Sequence, residues 1–167
     1  MDSKQINKII MDLTIIVDTR EKENKHIIEY FEKNNIPYIC RKLDSADYSF
    51  VLPNHLHLCL DNKILVERKG SIDELAGNLS QNRDRFEREF ERIRKDQRIH
   101  LVLENFTYKK MLNGTYRSGF NPMSYLGSLM TWCIRYKCPI WTVTKAESPV
   151  IIYNIMKYEL REILKEL

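Results

Sequence analysis

Short apolar runs recur along the chain and are separated by polar or turn-forming residues. Runs of this length, rich in Ile, Leu, Val and aromatic residues, predict β-strands. The predicted strands cover 13–19, 38–43, 47–52, 55–60, 63–69, 98–106 and 139–144. Turn residues separate the middle ones, so residues 47–69 are predicted to form an antiparallel meander.

Segments with helical spacing of apolar residues lie between these runs. The predicted helices cover 21–35, 72 to about 95, 122 to about 137, and 148 onward. Ser71 with Glu74 three residues later is the pattern of a capping box, which marks the start of the second helix. Strands that alternate with helices predict an α/β fold, in which a mixed central sheet is flanked by helices.

The composition is that of a globular domain. The chain has 167 residues, of which 43% are hydrophobic and 30% charged. That length predicts a single domain over 1–167, with its core at about 13–166. No apolar run is long enough to cross a membrane, and the first residues lack the apolar region of a signal peptide. Together these features predict a cytoplasmic protein without a membrane partner.

Two compositional details add to this expectation. The four cysteines show no CxxC spacing and lie in apolar segments, so they are expected to be small core residues in a reducing cytosol. The abundance of Ile, Lys and Asn suggests an AT-rich genome of bacterial, phage or viral origin.

Positive charge is concentrated in one part of the chain. The net charge is only +4, but the segment "RDRFEREFERIRKDQR" at 83–98 holds seven Lys or Arg against five Asp or Glu. One interpretation is a solvated helix face with ion pairs between residues four apart. The other is a surface that binds the phosphates of a nucleic acid.

The run "KILVERK" places charges at the end of an apolar strand. Side chains two residues apart on a strand share a face, so Glu67 and Lys69 project together while Arg68 points the other way. Asp18 and Asp47 also lie at the ends of predicted strands. Such acidic residues are costly unless something neutralises them, and a hard cation such as Mg²⁺ or Mn²⁺ would do so. A surface ion pair of little consequence is the alternative interpretation of Glu67 and Lys69.

Three ordered motifs make a longer match. "IIVDTRE", "ADY" and "ILVERKGSIDELAGNLSQNRDRFEREFERI" resemble the XPF-type structure-specific endonuclease domain, whose signature is V-D-x-R-E, then G-D, then E-R-K-x-x-x-D. That domain belongs to the PD-(D/E)XK nuclease superfamily. The resemblance implies a restriction-endonuclease-like core and a metal-dependent hydrolysis of phosphodiester bonds in DNA.

The resemblance also implies roles for individual residues. Asp47 and Glu67, with the carbonyl of Arg68, would bind the metal. Lys69 would hold the attacking water from the solvent end of its strand, and Asp18 would support the site as a ligand or through water. The residues expected to bind substrate are Arg20, Glu21, Arg68, Arg83 and Arg85.

Three positions need separate treatment. Asp73 is expected to be structural, because a carboxylate in the first turn of a helix complements the helix dipole. Arg83 faces the sheet if the helix after Ile72 is unbroken, and faces water if Gly77, Asn78 and Ser80 break it. Ala46 stands where the family has glycine, which is a change that could alter the local backbone.

The function predicted from these features is metal-dependent endonucleolytic cleavage of branched or flapped DNA in repair, recombination or replication. The tandem helix-hairpin-helix domain common in the family has no counterpart here, so a protein partner is expected to supply substrate targeting. Two alternatives remain open. One is a nuclease-fold module that binds DNA or a partner without cutting, and the other is a phage or restriction-type nuclease that cuts plain duplex.

A homodimer is also expected. The helices predicted from 122 and from 148 are more apolar than packing on one face of a sheet requires. XPF-type nuclease domains also commonly pair. The alternative is that both helices are buried against the sheet and against each other.

Overall fold

The computed structural model describes all residues 1–167 and contains one six-stranded sheet with helices on both faces. The strands are β1 Thr14–Val17, β2 Tyr38–Cys40, β3 Tyr48–Val51, β4 Ile64–Lys69, β5 Arg98–Glu104 and β6 Ile140–Val143. The helices are α1 Ser3–Met11, α2 Lys25–Lys33, α3 Ile72–Leu79, α4 Arg83–Glu91, α5 Tyr108–Leu112, α6 Pro122–Tyr136 and α7 Ser148–Glu166. None of the helices combines the length and the apolar character needed to span a bilayer.

The sheet is mixed, in the order β2-β1-β3-β4-β5-β6. β3 is antiparallel to both of its neighbours, β1 and β4. The other pairs, β1 with β2, β4 with β5 and β5 with β6, are parallel. The predicted fold class, α/β with a mixed sheet flanked by helices, is confirmed. β4 lies in the interior of the sheet, and all six of its residues are buried, including the three charged ones.

A hydrophobic core lies on each face of the sheet. Helices α1, α2 and α7 cover one face, where Ile64 and Val66 of β4 join the core. Helices α3, α4 and α6 cover the other, where Leu65 joins a cluster built around Trp132. The ring of Phe86 stacks on Trp132 with 5.0 Å between the centroids. Because side chains alternate along a strand, Glu67 and Lys69 belong to the α3–α4 side and Arg68 to the α1–α2–α7 side.

The structure corrects two predicted elements. Residues 55–60 do not form a strand; a single 3-10 turn covers Leu56–Leu58, and Cys59 ends it in the left-handed conformation. The long helix predicted from Ile72 is two helices, α3 and α4, separated by residues 80–82. The first of them ends at Ser80, whose backbone leaves the helical region with φ of −120° and ψ of −92°.

Other differences concern the chain ends and the cysteines. α1 was not predicted, although Asp2 and Gln5 form a capping box and its isoleucines are buried on the sheet. α5 was also not predicted. All four cysteines are free thiols, but only Cys138 is fully buried, while Cys40 and Cys59 are exposed. The expectation that all four are core residues is therefore wrong for those two.

Ala46 keeps the backbone conformation that glycine adopts readily. Its φ is +68°, in the left-handed region, and it lies immediately before Asp47. A side chain there meets the following carbonyl oxygen, at a cost of roughly 1–2 kcal/mol. The fold therefore tolerates local strain at Ala46 in order to aim Asp47.

We expect Ala46→Gly to raise the free energy of unfolding by about 0.5–1 kcal/mol, because the relief of strain exceeds the added entropy of the unfolded chain. Ala76→Gly, in the buried middle of α3, is the matched control and should lower stability by about 1 kcal/mol or more. Denaturant titration of both variants measures the two effects. A loss of stability in Ala46→Gly would show that the left-handed backbone at Ala46 carries no strain.

Candidate active site

A polar cleft of about 280 Å³ opens between the ends of β3 and β4 and the helices α3 and α4. Asp47, Glu67 and Lys69 line it, as do charged and amide side chains from both helices. Only two of its fourteen lining residues are hydrophobic, Ala46 and Phe86. A cleft of this composition is suited to a charged, hydrated ligand rather than an apolar one.

Backbone pairing brings Asp47 beside Glu67. The Asp47 N–H donates to the carbonyl of Val66 at 3.0 Å. In return, the backbone N–H of Arg68 donates to Asp47 Oδ2 at 2.8 Å. Asp47, immediately before β3, is therefore a neighbour of Glu67 in β4, as a shared site requires.

Lys69 is held against Glu67. Its Nζ lies 2.7 Å from Glu67 Oε1 and 3.5 Å from Glu74 Oε1. It also lies 5.0 Å from the centroid of the Phe86 ring. Lys69 is only 7% exposed, so the expectation that it lies at the solvent end of its strand was wrong. The cause is the capped helix α3, which turns back over the strand end: Ser71 Oγ accepts from the N–H of Glu74.

Burial by itself would lower the pKa of Lys69, but the negative charges of Glu67 and Asp47 outweigh it and raise the pKa above its ordinary value. Lys69 is therefore a cation throughout the neutral range. Burial raises the pKa of Asp47 well above its ordinary value, and the neighbouring Glu67 raises it further. Burial also raises the pKa of Glu67, and Lys69 offsets only part of that effect. The protein alone thus leaves negative charge in this cleft incompletely neutralised.

Each carboxylate keeps one oxygen free. Asp47 accepts from Arg68 through Oδ2, and Glu67 accepts from Lys69 through Oε1. Neither Asp47 Oδ1 nor Glu67 Oε2 has a hydrogen-bond donor from the protein, and neither is sealed from the solvent. Two carboxylates that each present one free oxygen to the cleft fit a hard divalent cation. No set of three His, Cys, Asp or Glu side chains is gathered closely enough to hold a metal, so any further ligands must be carbonyls, water or substrate.

Asp18 does not line the cleft. Its Oδ1 accepts from the backbone N–H and Nε of Arg20 at 2.8 and 2.7 Å. Its Oδ2 accepts from the N–H of Leu43 at 2.6 Å and from Arg20 Nη2 at 3.1 Å. Burial would raise the pKa of Asp18, but the hydrogen bonds from Arg20 and Leu43 hold it below its ordinary value. Asp18 positions Arg20, which does line the cleft.

Arg68 points to the opposite face of the sheet, as the alternation predicted. Its guanidinium pairs with Glu21 at 2.8 Å and with Glu104 at 3.1 Å. The side chain is 4% exposed. The expectation that the Arg68 side chain binds substrate was therefore wrong, because both carboxylates enclose it. Glu21 is also occupied by this ion pair, although it does lie at the edge of the cleft.

Sequence reasoning missed the polar network behind Arg68. Glu104 accepts a hydrogen bond of 2.6 Å from the hydroxyl of Ser148 and lies 2.8 Å from His26 Nε2. Glu104 is 2% exposed. The sequence feature that could have revealed it is an acidic residue at the end of an apolar strand, which Glu104 shares with Asp18 and Glu67. This network anchors the strand end that carries Glu67 and Lys69.

Comparison with known proteins agrees with this geometry. A family model described as the ERCC4 domain matches residues 17–155. The chain belongs to the ERCC4 domain family. This confirms the resemblance to the XPF-type nuclease domain noted from the motifs. Among curated protein sequences nothing matches.

Two solved structures share the fold. One is XPF from Aeropyrum pernix, with a TM-score of 0.61 and 16% identity over 86% of this chain. The other is XPF from Aeropyrum pernix in complex with DNA, with a TM-score of 0.62 and 17% identity over 92% of this chain. The ERCC4 domain described here spans 65% of each of those chains. Identities at this level show a common fold.

The arginines of α4 are distributed differently from the expectation. Arg83 begins α4 and donates to Ser128 Oγ of α6 at 3.1 Å, with its guanidinium 5.9 Å from the Trp132 ring. It does not line the cleft, because the break after α3 resets the helix phase. Arg85 and Arg92 do line the cleft. In this ERCC4 domain Arg83 therefore lies outside the cleft, contrary to expectation, whereas Arg85, which was also expected to bind substrate, lines it.

Asp73 lies outside the cleft. Its Oδ1 accepts from the backbone N–H of Arg117 at 2.6 Å. The contact joins the first turn of α3 to the loop before α6. This agrees with the structural role expected for Asp73.

The raised pKa of Asp47 predicts how stability varies with pH. A carboxyl whose pKa is higher in the folded protein than in the unfolded chain is unfavourable when ionised, so its penalty is absent at low pH and grows as pH rises to the folded-state pKa. In EDTA at pH 8, the free energy of unfolding of Asp47→Asn should therefore exceed that of the unmodified protein by on the order of 1 kcal/mol. The variant should accordingly melt at a higher temperature. The difference should shrink towards pH 4.

Asp84→Asn, at an exposed position in the first turn of α4, is the control and should show no such pH-dependent gain. Thermal melting from pH 4 to pH 8 measures both variants. If Asp47→Asn is less stable than the unmodified protein at pH 8, Lys69 and the Arg68 N–H already compensate the Asp47 charge.

Proposed function

We propose that this protein is a metal-dependent endonuclease that hydrolyses phosphodiester bonds in branched or flapped DNA. One observation carries the proposal: the cleft joins two desolvated carboxylates, each with a free oxygen, to a buried lysine cation. Arginines at the rim, Arg20 and Arg85, are suited to phosphate groups. Membership of the ERCC4 domain family supports the same activity.

Asp47 and Glu67 would hold the metal, with the carbonyl of Arg68 as a further ligand. Mg²⁺ or Mn²⁺ fits, because Mg²⁺ is commonly bound through one or two carboxylates and completes its shell with water and substrate phosphate. When bound, such a cation polarises a phosphoryl oxygen and lowers the pKa of bound water. The positive charge would also relieve the desolvated pair, so binding should stabilise the fold.

Lys69 would provide a positive charge and donate hydrogen bonds. Because its pKa is raised, its ammonium keeps its protons at neutral pH and cannot act as the general base in the metal-free state. It can hold a water or a phosphoryl oxygen in the cleft while Glu67 fixes its position. The stacking neighbour Phe86 lies over its Nζ and excludes solvent from that side.

The rim residues would bind and orient the substrate. Arg20 is 53% exposed, and Asp18 fixes its guanidinium in one orientation. Arg85 is 79% exposed and pairs only loosely with Glu89, at 3.5 Å. Arg85 can therefore turn towards a phosphate without losing a buried partner, whereas Arg20 would meet a phosphate in the orientation that the buried Asp18 gives it.

Branched or flapped DNA is the proposed substrate class, in repair, recombination or replication. The support is the family and the shared fold with an XPF that was solved in complex with DNA. The chain spans 65% of that protein. A protein partner that supplies substrate targeting is proposed as well. The two alternatives, plain duplex cleavage and binding without cleavage, become outcomes of the assay below.

Purified protein with Mg²⁺ or Mn²⁺ should cut flap, fork or four-way DNA in preference to duplex and single strands. Glu67→Gln should reduce the rate at least on the order of a hundredfold, because it removes one of the two carboxylates that would hold the metal. It should also abolish the rise in melting temperature that Mn²⁺ produces. Glu91→Gln, on the exposed side of α4, is the matched control and should cut normally.

Lys69→Met keeps the packing over Phe86 and should also stop cleavage. Since it leaves Glu67 without its partner, its fold must be checked by melting in Mn²⁺. If Glu67→Gln cuts at the normal rate, the site is misassigned. DNA binding without cleavage by the unmodified protein would favour the binding module, and equal cleavage of plain duplex would favour the restriction-type nuclease.

A homodimer is also proposed. The outer face of α6 exposes Met123, Met130 and Ile134, the last at 75% exposure, and α7 exposes Tyr158. Apolar side chains that remain exposed on a folded domain are typical of association surfaces. Light scattering at micromolar concentration should give twice the 20.0 kDa mass of one chain. Ile134→Glu should give the single mass without loss of stability, whereas Lys33→Glu, at an exposed position of α2, should keep the double mass.

A further inference from the structure

A second groove adjoins the cleft. It is lined by Arg20, Lys42, Leu43, Asp44 and Arg92 and has a volume of about 440 Å³. Two of these residues, Arg20 and Arg92, also line the cleft. The groove and the cleft therefore meet at two arginines and share one continuous surface.

A smaller hollow adjoins both the groove and the cleft. It shares Lys42, Leu43, Asp44 and Arg92 with the groove and Ser45 and Arg92 with the cleft, and it adds Arg94. The three depressions thus form one continuous surface beside Asp47 and Glu67. We call the part beyond the cleft, defined by Lys42, Arg92 and Arg94, the basic track.

Charge separates the basic track from the cleft. The cleft has five carboxylates among its lining residues, Glu21, Asp47, Glu67, Glu74 and Glu89, against four cations, Arg20, Lys69, Arg85 and Arg92. The groove and hollow carry four cations, Arg20, Lys42, Arg92 and Arg94, and a single carboxylate, Asp44. The positive potential therefore lies on one flank of the cleft.

Two of these cations have no role in holding the fold. Lys42 and Arg92 are exposed, and neither has a carboxylate within 4.0 Å, whereas Arg20 pairs with Asp18 and Arg94 with Asp96. Exposed cations without partners on a concave surface are available to an anionic ligand. With Arg20 and Arg94 they make four cations on one surface, a number that favours a chain of phosphates over a single anion.

The wall of the track is rigid. The Leu43 N–H donates to Asp18 Oδ2, and Arg20 Nη2 donates to the Leu43 carbonyl at 2.9 Å. Ser45 Oγ donates to the carbonyl of Glu89 at 2.7 Å. These bonds tie the loop after β2 both to the first motif and to α4. Lys42 is therefore presented on a fixed backbone, which reduces the entropy lost on binding.

The opposite flank of the cleft differs. There α3 and the turn after it contribute Glu74, Asn78 and Asn82 to the lining, and none of these is a cation. A polyanion that places one phosphate at Asp47 and Glu67 would therefore meet more cations on the track side than on the side of α3. The cations of the binding surface are therefore distributed unequally about the cleft.

We propose that the basic track binds the backbone phosphates of the DNA strand on one side of the bond to be cut. The inference rests on the proposed function, since the cleft defines where that bond lies. Contacts by Lys42, Arg92 and Arg94 to phosphates are independent of base sequence. The track therefore holds and orients one strand, while the choice of DNA structure is made elsewhere.

The test uses the full chain carrying Glu67→Gln, so that DNA stays intact, and measures fluorescence anisotropy with labelled oligonucleotides across a range of KCl. Lys42→Ala with Arg94→Ala removes two track cations outside the cleft. We expect Kd to rise about tenfold for a twelve-nucleotide strand, and the slope of log K against log[KCl] to fall by about 2, one for each lost contact. A four-nucleotide strand, which the cleft alone can hold, should bind almost equally to both proteins.

Lys8→Ala with Lys33→Ala is the control for net charge. Both lysines are exposed on α1 and α2, on the other face of the sheet, so this pair should leave Kd and slope nearly unchanged. If the track variant binds like its parent, or if the control pair weakens binding equally, the track is not a binding surface. If the parent binds no DNA at all, the proposed function itself fails.

Neutral methylphosphonate linkages test the direction. After the cut is mapped with the active protein, single phosphates are replaced on either side of it. Replacement on one side should weaken binding by the parent, and the Lys42→Ala, Arg94→Ala protein should no longer respond to it. Equal losses on both sides, or a loss that depends on base sequence, would overturn the proposal.

Discussion

The burial of three charged residues at the end of β4 is the constraint on which the rest of the structure depends. Glu67, Arg68 and Lys69 are all at most 7% exposed, and a buried charge requires a partner. Because side chains alternate along a strand, they lie on opposite faces of the sheet, and each face provides different partners for the buried charges. Lys69 neutralises part of the Glu67 charge on one side, while Glu21 and Glu104 neutralise Arg68 on the other.

The charges are paired to different extents on the two faces. On the Arg68 side, two carboxylates pair with the guanidinium, and a hydroxyl and an imidazole contact one of them, so that the network holds the strand. On the cleft side the compensation is incomplete, and the pKa values of Asp47 and Glu67 remain raised. The buried cation behind the strand is thus paired, whereas the carboxylates in front of it are only partly neutralised. Incomplete compensation of this kind is typical of functional sites.

Local strain and positive charge lie next to these partly neutralised carboxylates. Ala46 accepts a left-handed backbone immediately before Asp47. Asp18, through Arg20 and Leu43, holds the loop that carries Lys42. The first motif therefore acts at a distance from the carboxylate pair, because it orients one wall of the cleft and the beginning of the basic track.

The sequence by itself determined six of the seven predicted strands, their alternation with helices, the position of Glu67 and Lys69 on one face, and the family. These follow from local rules: side chains alternate on a strand, and turn and cap residues act within a few positions. Which partner each charge meets was decided only by the tertiary structure. The burial of Lys69, the enclosure of Arg68 by Glu21 and Glu104, and the turn of Arg83 towards Ser128 depend on residues distant in the chain. The 80–82 break changes which arginines reach the cleft, because a few residues out of helical phase rotate every later side chain to another direction.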